Sequence, residues 1–279
     1  MTASLRRRCW VLLRTITFLA CGVLRLAAHP ELDQALERIN ERLLASPENA
    51  ELYLGRGELY ARHEDWVMAE ANFLRAAELA PTLPRLDCAR GALALANARW
   101  AEARTHLDRA LQIDPRSAEA LIHRSRARRA LADRDGARID LAAALALLAN
   151  PRPELFLEYA DLHARPEEAL QALDSGIARI GPAITLHSRA LALEESLLRF
   201  DDAVARIDRL AAVSERPEFW LKRRGDLLER AGRKEAARTS YAAALARIAA
   251  LPEWLRDSPD AVRLVAELKS HTHSTAQFP

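Results

Sequence analysis

Glycine is scarce in this sequence and aromatic side chains are few, while Ala, Leu, Arg and Glu dominate. These four are good helix formers, and small side chains let helices pack closely. Charged residues are plentiful, but half of the 279 residues are hydrophobic, which excludes wholesale disorder. The length suffices for one or two compact domains or one elongated array. Lysine occurs only at Lys222, Lys234 and Lys269, so almost all positive charge is arginine. A general basic excess is also missing. Residues 1–28 carry Arg6, Arg7, Arg8, Arg14 and Arg25 and no acid, so without them the net charge falls from +2 to −3. That excludes a general nucleic-acid binder, which keeps its cations in the folded part.

Long apolar runs are lacking too. The longest uninterrupted stretch, Thr15 to Leu24, has ten residues, against roughly 20 for a membrane-spanning helix. Preceded by Arg6, Arg7 and Arg8 and followed by Leu26, Ala27 and Ala28, it has the layout of a secretory signal peptide cleaved after Ala28. The chain is therefore expected to be exported, to the bacterial periplasm or beyond, with no transmembrane span in its mature form. Phe18-Leu19-Ala20-Cys21 also resembles a bacterial lipoprotein cleavage box, which makes lipid anchoring at Cys21 the alternative. With Cys9 and Cys21 in the leader, Cys88 stands alone in the cleaved form, and no internal disulfide is available to it. Cys88 falls in an apolar helical stretch and reads as a packing residue.

What the sequence does have is a period of 34 residues. Ala69, Ala103 and Ala137 share it, as do Ala76, Ala110 and Ala144, and Phe73, Leu107 and Leu141. Gly57 pairs with Gly91, and Pro81 with Pro115, in the same register. Such a period is too long for one helix and suits two helices joined by tight turns. Gly57 and Ala69 then lie on opposite arms of one hairpin, where small residues permit close approach. Phe73 and Leu107 are expected to fill the space between hairpins. Pro81 and Pro115 lack an amide donor and end the second helix of their units.

These positions resemble the tetratricopeptide repeat (TPR) family. Unit one, 50–83, supplies Tyr53, Gly57, Tyr60, Ala69, Phe73, Ala76 and Pro81. Unit two, 84–117, supplies Gly91, Ala103, Leu107, Ala110 and Pro115, and unit three, 118–151, keeps Ala137 but has Ser125 at the glycine position. Residues 154–182 read as a shortened unit and 184–216 as a degenerate one. Residues 218–251 return to the pattern with Gly225, Ala237, Tyr241 and Ala244. The resemblance implies an all-α fold, a superhelical solenoid of antiparallel helix pairs. Residues 29–49 are expected to cap one end with an amphipathic helix and 252–269 the other, leaving 270–279 as a loose tail.

No Gly-rich phosphate loop, Cys-pair metal site or strand-associated Ser motif is present. The histidines share no short spacing that would gather metal ligands. His271 and His273 fall in the expected tail, and His29 would offer a copper-chelating terminus after cleavage, but further ligands are missing. No cofactor and no catalytic residue is expected. The resemblance implies instead a protein or peptide partner, held on a concave surface lined by the first helix of each pair. Groove positions then fall at Leu54, Glu58 and Arg62 in unit one, at Cys88, Ala92 and Leu95 in unit two, and at Ile122, Arg126 and Arg129 in unit three. In the sixth unit they are Lys222, Asp226, Glu229 and Arg230. The Lys, Asn and Arg set by which some TPR domains grip acidic chaperone tails is absent. An exported binding scaffold is thus the leading expectation. A lipid-anchored subunit of an envelope assembly is the second, and a hydrolase or metal protein on a repeat scaffold the third.

Overall fold

The computed structural model describes residues 30–83 and 85–273, and every regular element among them is helical. The expected leader, with Cys21 and His29, lies outside these residues. The helices fall into two compact units divided after Leu147. The first holds α1 (Pro30–Ala45), α2 (Ala50–Arg62), α3 (Trp66–Leu79), α4 (Leu86–Ala96), α5 (Trp100–Ile113), α6 (Ala118–Ala130) and α7 (Arg134–Leu147). The second holds α8 (Pro153–Asp161), α9 (Pro166–Ile180), α10 (Ile184–Ser196), α11 (Phe200–Val213), α12 (Pro217–Arg230), α13 (Lys234–Ala249), α14 (Glu253–Arg256) and α15 (Pro259–His273). Within each unit successive helices pack as hairpins: α2 on α3, α4 on α5, α6 on α7, then α8 on α9 and α12 on α13. In the first unit α4 also touches both α2 and α6, so the first helices of the pairs form a continuous row.

Local chemistry starts and stops these helices. Asn49, Asp65 and Ser117 accept backbone N–H groups at the starts of α2, α3 and α6, which satisfies donors that the helix leaves orphaned. Proline opens α8, α9 and α12, where its missing N–H costs nothing. Five hairpin turns share one device, a single left-handed residue: Glu64, Ala98, Ala132, Leu198 and Gly232, with φ of 56–76°. The next N–H bonds back to the carbonyl five residues earlier, as Asp65 does to Tyr60 and Arg99 to Ala94. This Schellman-type closure reverses the chain in three residues. The α8/α9 turn has four residues and no left-handed one, which accompanies the shortened first helix of that pair.

Inside the hairpins, a glycine on the first helix faces a large side chain on the second. A Cβ built on Gly57 would meet the Phe73 ring at 2.5 Å, one on Gly91 would meet Leu107 at 2.6 Å, and one on Gly225 would meet Tyr241 at 2.2 Å. Phe73 and Leu107 therefore press on the glycine within their own hairpin, and each also joins a core shared with the next hairpin, Phe73 with Leu86 and Leu93 and Leu107 with Ala120 and Leu121. Ser125 replaces the glycine in the third pair, and its hydroxyl donates to the Ala137 carbonyl at 2.8 Å across the hairpin. In the α8/α9 pair the roles invert: Gly176 on the second helix receives Phe156 from the first, at 2.7 Å. Ala69, Ala76, Ala103, Ala110, Ala137, Ala237 and Ala244 are all buried, Tyr60 packs partly buried against its hairpin's core, and Pro81 and Pro115 stand in the exposed turns between pairs.

At the C-terminal end the expected single cap is two helices, the one-turn α14 and then α15. Ser258 accepts the Ala261 N–H at 3.4 Å at the start of α15. Ala261, Leu264 and Leu268 bury against Tyr241, Ala244 and Ile248 of α13. The helix continues to His273, so residues 270–273, expected in the tail, are helical, because His271 has a partner on the preceding pair.

Candidate binding face

Three alanines on α4, Ala89, Ala92 and Ala96, recur at helical spacing on one face. Because they are small, a cavity of about 420 Å³ opens between α2 and α4, inside the range of roughly 300–1,000 Å³ common for ligand sites. Its walls are Ala61, Trp66, Phe73, Cys88, Leu93 and the three alanines, and its rim is Glu58, Arg62, Arg85 and Glu119. The walls are thus apolar and the rim charged. Arg85 donates to Glu58 at 2.7 Å. Burial pushes the Glu58 carboxyl above the usual carboxylate range, only partly opposed by Arg85. Glu119 moves the other way, lowered chiefly by its hydrogen bond with His123. Burial pushes the Cys88 thiol up to about 12, so at neutral pH it is protonated and a poor nucleophile.

Glu58, Arg62, Cys88 and Ala92 of the sequence-derived groove meet at this cavity. Leu54 does not belong with them. It is 1% exposed and sits in the core with Ala69 and Phe73. Its one-turn spacing from Glu58 hid the fact that it leans toward α3. Leu95 and Ile122 pack half-buried against the core of α4 to α6. Arg129 is exposed in the last turn of α6, while Arg126 is half-buried and already engaged. The spacing pointed to none of Trp66, Arg85 and Glu119, which depend on how neighbouring pairs stack.

The corresponding residues of the second unit are tied to their own chain. Lys222 pairs with Asp226 at 3.1 Å and with Glu267 of α15 at 2.6 Å. The Tyr241 hydroxyl lies 3.1 Å from Asp226 and 3.0 Å from Glu229. Burial and these acids push its phenol far above the usual range, so it stays a donor. His271 lies 3.2 Å from Glu229, its ring 4.8 Å from that of Tyr241. Arg223 and Arg230 both pair with Glu195 of α10, and Arg189 pairs with Asp161. Lys222, Asp226, Glu229 and Arg230, the groove positions expected in the sixth unit, are thus held in intrachain ion pairs.

A second polar system went unnoticed in the sequence. Arg56, Arg124 and Arg224 occupy one position of the first helices, and each reaches polar groups on the helix before it and the helix after it. Arg56 donates to Asn72 at 2.7 Å and to Asn40 at 2.9 Å. Arg124 holds Asp140 at 2.7 Å and Asp108 at 2.8 Å, and Arg224 bonds Ser240 at 2.6 Å and pairs with Asp208 at 2.8 Å. Asn72, Asp140 and Ser240 are buried, so these contacts satisfy groups that would otherwise be costly to bury. Arginine suits the task, since its planar fork reaches two acceptors at once. Among the described residues no group of three or more His, Cys, Asp and Glu is placed to hold a metal, and no helix is long and apolar enough to cross a membrane.

No protein-family model matches the sequence, and no curated protein does. Solved structures match well. A tetratricopeptide repeat protein from Parabacteroides merdae is similar over 93% of this chain and 96% of its own, with a TM-score of 0.51 at 18% identity. The fold is the tetratricopeptide-repeat fold. PilF of Pseudomonas aeruginosa is similar over 78% of this chain and 97% of its own, with a TM-score of 0.52 at 16% identity. A MamA protein matches 57% of this chain and 88% of its own, with a TM-score of 0.50 at 17% identity. At such identities the likeness concerns the fold alone. The TPR glycine, alanine and aromatic positions account for the tight hairpins. They do not include Ala89, Ala92 and Ala96, which line the cavity.

Proposed function

We propose that this chain is a binding scaffold for a protein or peptide, and that the partner docks on the row of first helices α2, α4 and α6. The observation that carries this reading is the cavity between α2 and α4, an apolar recess with a charged rim. An extended segment would seat one large apolar side chain there. Removing a Leu- or Phe-sized side chain from water stabilises binding by about 1.5–3 kcal/mol. The rim of Glu58, Arg62, Arg85 and Glu119 would orient the flanking backbone and side chains. The reading is of a binder and not an enzyme: the thiol at the cavity is protonated, and the rim carboxylates face cations.

The decisive experiment is selection of peptides from a random displayed library on the purified chain. Enriched peptides should share an apolar anchor and should lose affinity for Ala92→Phe, which fills the cavity, while that variant melts as the wild type does. Absence of enrichment, or equal binding by Ala92→Phe, overturns the assignment.

Export is the second element of the proposal and rests on the layout of residues 1–28. Terminal sequencing of protein from the envelope fraction should find a start at or near His29. A lipid on Cys21 would mean anchoring instead, and an intact Met1 would defeat export.

A further inference from the structure

In the inner pairs the first helix keeps a small residue where the second helix approaches: Gly57 on α2 and Ser125 on α6. An arginine precedes each and reaches the covering helix, Arg56 to Asn72 and Arg124 to Asp140. The last helix, α15, has the same layout on its inner side. Ala261 and Leu268 lie five residues before and two after Ala266, and both are fully buried against α13. Ala120 and Ala127, also fully buried, stand at the same offsets from Ser125. Ala266 thus takes the position of the small residue, yet it is exposed, and among the described residues no second helix follows α15. Val265 replaces the arginine.

One turn before Ala266, Val262 lines an apolar groove of about 440 Å³, walled also by Leu245, Ile248 and Ala249 of α13 and by Val265 of α15. Val262 is 56% exposed, although it is a large apolar residue. The charged residues lining this groove are Arg256 and Lys269, both cationic and both already engaged within the chain. Arg256 has Asp257 at 3.5 Å, with both side chains well exposed. Such a surface pair is weak, so turning Arg256 toward another carboxylate loses little.

We propose that this flank of α15 receives an amphipathic, acidic helix of another protein, which completes the last pair as a second helix would. A large apolar side chain of that helix would rest on Ala266 and Val262, as Phe73 rests on Gly57. A carboxylate one or two turns away would meet Arg256 and Lys269. The mode is a helix laid into a groove, with apolar anchors at helical spacing, and the cationic lining selects the charge of the occupant.

Selection from two displayed libraries of a stable single helix on the full chain tests this. Both are randomised on one face with apolar residues, and one carries glutamates at the face's edge where the other carries lysines. Helices should be enriched from the glutamate library and not from the lysine library. Ala266→Glu, which blocks the seat, and Lys269→Glu should each weaken the selected helices about ten-fold or more. Lys269→Glu should also enrich the lysine library. Ala92→Phe should leave them unchanged, which separates this flank from the recess between α2 and α4. No enrichment from either library overturns the proposal, and so does equal binding by Ala266→Glu and Lys269→Glu. Two further results would assign the flank to a different occupant and overturn it too. One is a dimer in sedimentation that Ala266→Glu abolishes, which would mean a second copy. The other is helix binding that appears only after residues 274–279 are removed, which would mean a segment of the chain itself.

Discussion

Arg206 and Glu194 meet at 2.6 Å across the α10/α11 hairpin with both side chains buried, and the same guanidinium reaches Asp174 of α9 at 2.8 Å. A buried pair of this kind is costly to break and cheap to replace as a whole. Arg206→Met should destabilise by about 3–5 kcal/mol, since it strands the Glu194 carboxylate. The double variant Glu194→Leu/Arg206→Met should lie close to the wild type. Denaturant unfolding of the single and double variants measures both; additive losses would refute the pairing.

The left-handed turn residues give an opposite-signed pair of tests. Ala98 holds φ of 56° and Gly232 φ of 76°, a region where a side chain meets backbone. Ala98→Gly should stabilise by about 0.5–1 kcal/mol despite glycine's greater freedom when unfolded, and Gly232→Ala should destabilise by a similar amount. Thermal melts that move in the reverse directions would contradict the turn geometry.

Ala103 is fully buried between helices, in one core with Ala94 and Leu107. Ala103→Leu overpacks this contact and should cost about 1–3 kcal/mol. An unchanged melting temperature would argue against the repeat register itself.

Glu58 is a pH probe of the cavity rim. Burial raises its carboxyl in the folded chain, so the native state holds that proton to higher pH than the unfolded state. Its ionisation therefore destabilises the fold progressively as pH rises from the unfolded carboxylate range through the raised native pKa. Glu58→Gln should melt no lower than the wild type at neutral pH, although it gives up the charge pair with Arg85. Below the unfolded carboxylate pKa the two should converge. A Gln variant that is less stable at neutral pH and equal in acid would show that the Arg85 pair outweighs burial.

How much of this was legible beforehand follows the physics of each feature. The hairpins were readable because Gly57, Ala69 and Phe73 recur 34 residues on as Gly91, Ala103 and Leu107, and close helix packing tolerates few substitutes. The inverted pair of Gly176 and Phe156 broke that spacing, so its presence needed the structure. The arginines left a trace, since Arg56 and Arg124 stand two periods apart, but charge on a helix reads as solvated until its partners are placed. The cavity was half visible. Glu58, Arg62, Cys88 and Ala92 were implied by the resemblance to the repeat family, whereas Trp66, Arg85 and Glu119 come from turns and neighbouring pairs whose approach no spacing encodes. The burial of Leu54 and the ion pairs of Lys222, Asp226 and Glu229 likewise arise from contacts between elements.

The central claim is that a partner enters the recess between α2 and α4. A photoreactive amino acid placed at position 92, compared in the source cell with the same residue at position 74, tests it most directly. Leu74 is an exposed residue of α3 outside the cavity lining. The account expects a discrete crosslinked adduct from position 92 and none from position 74. An adduct from position 74 with none from position 92 would contradict it.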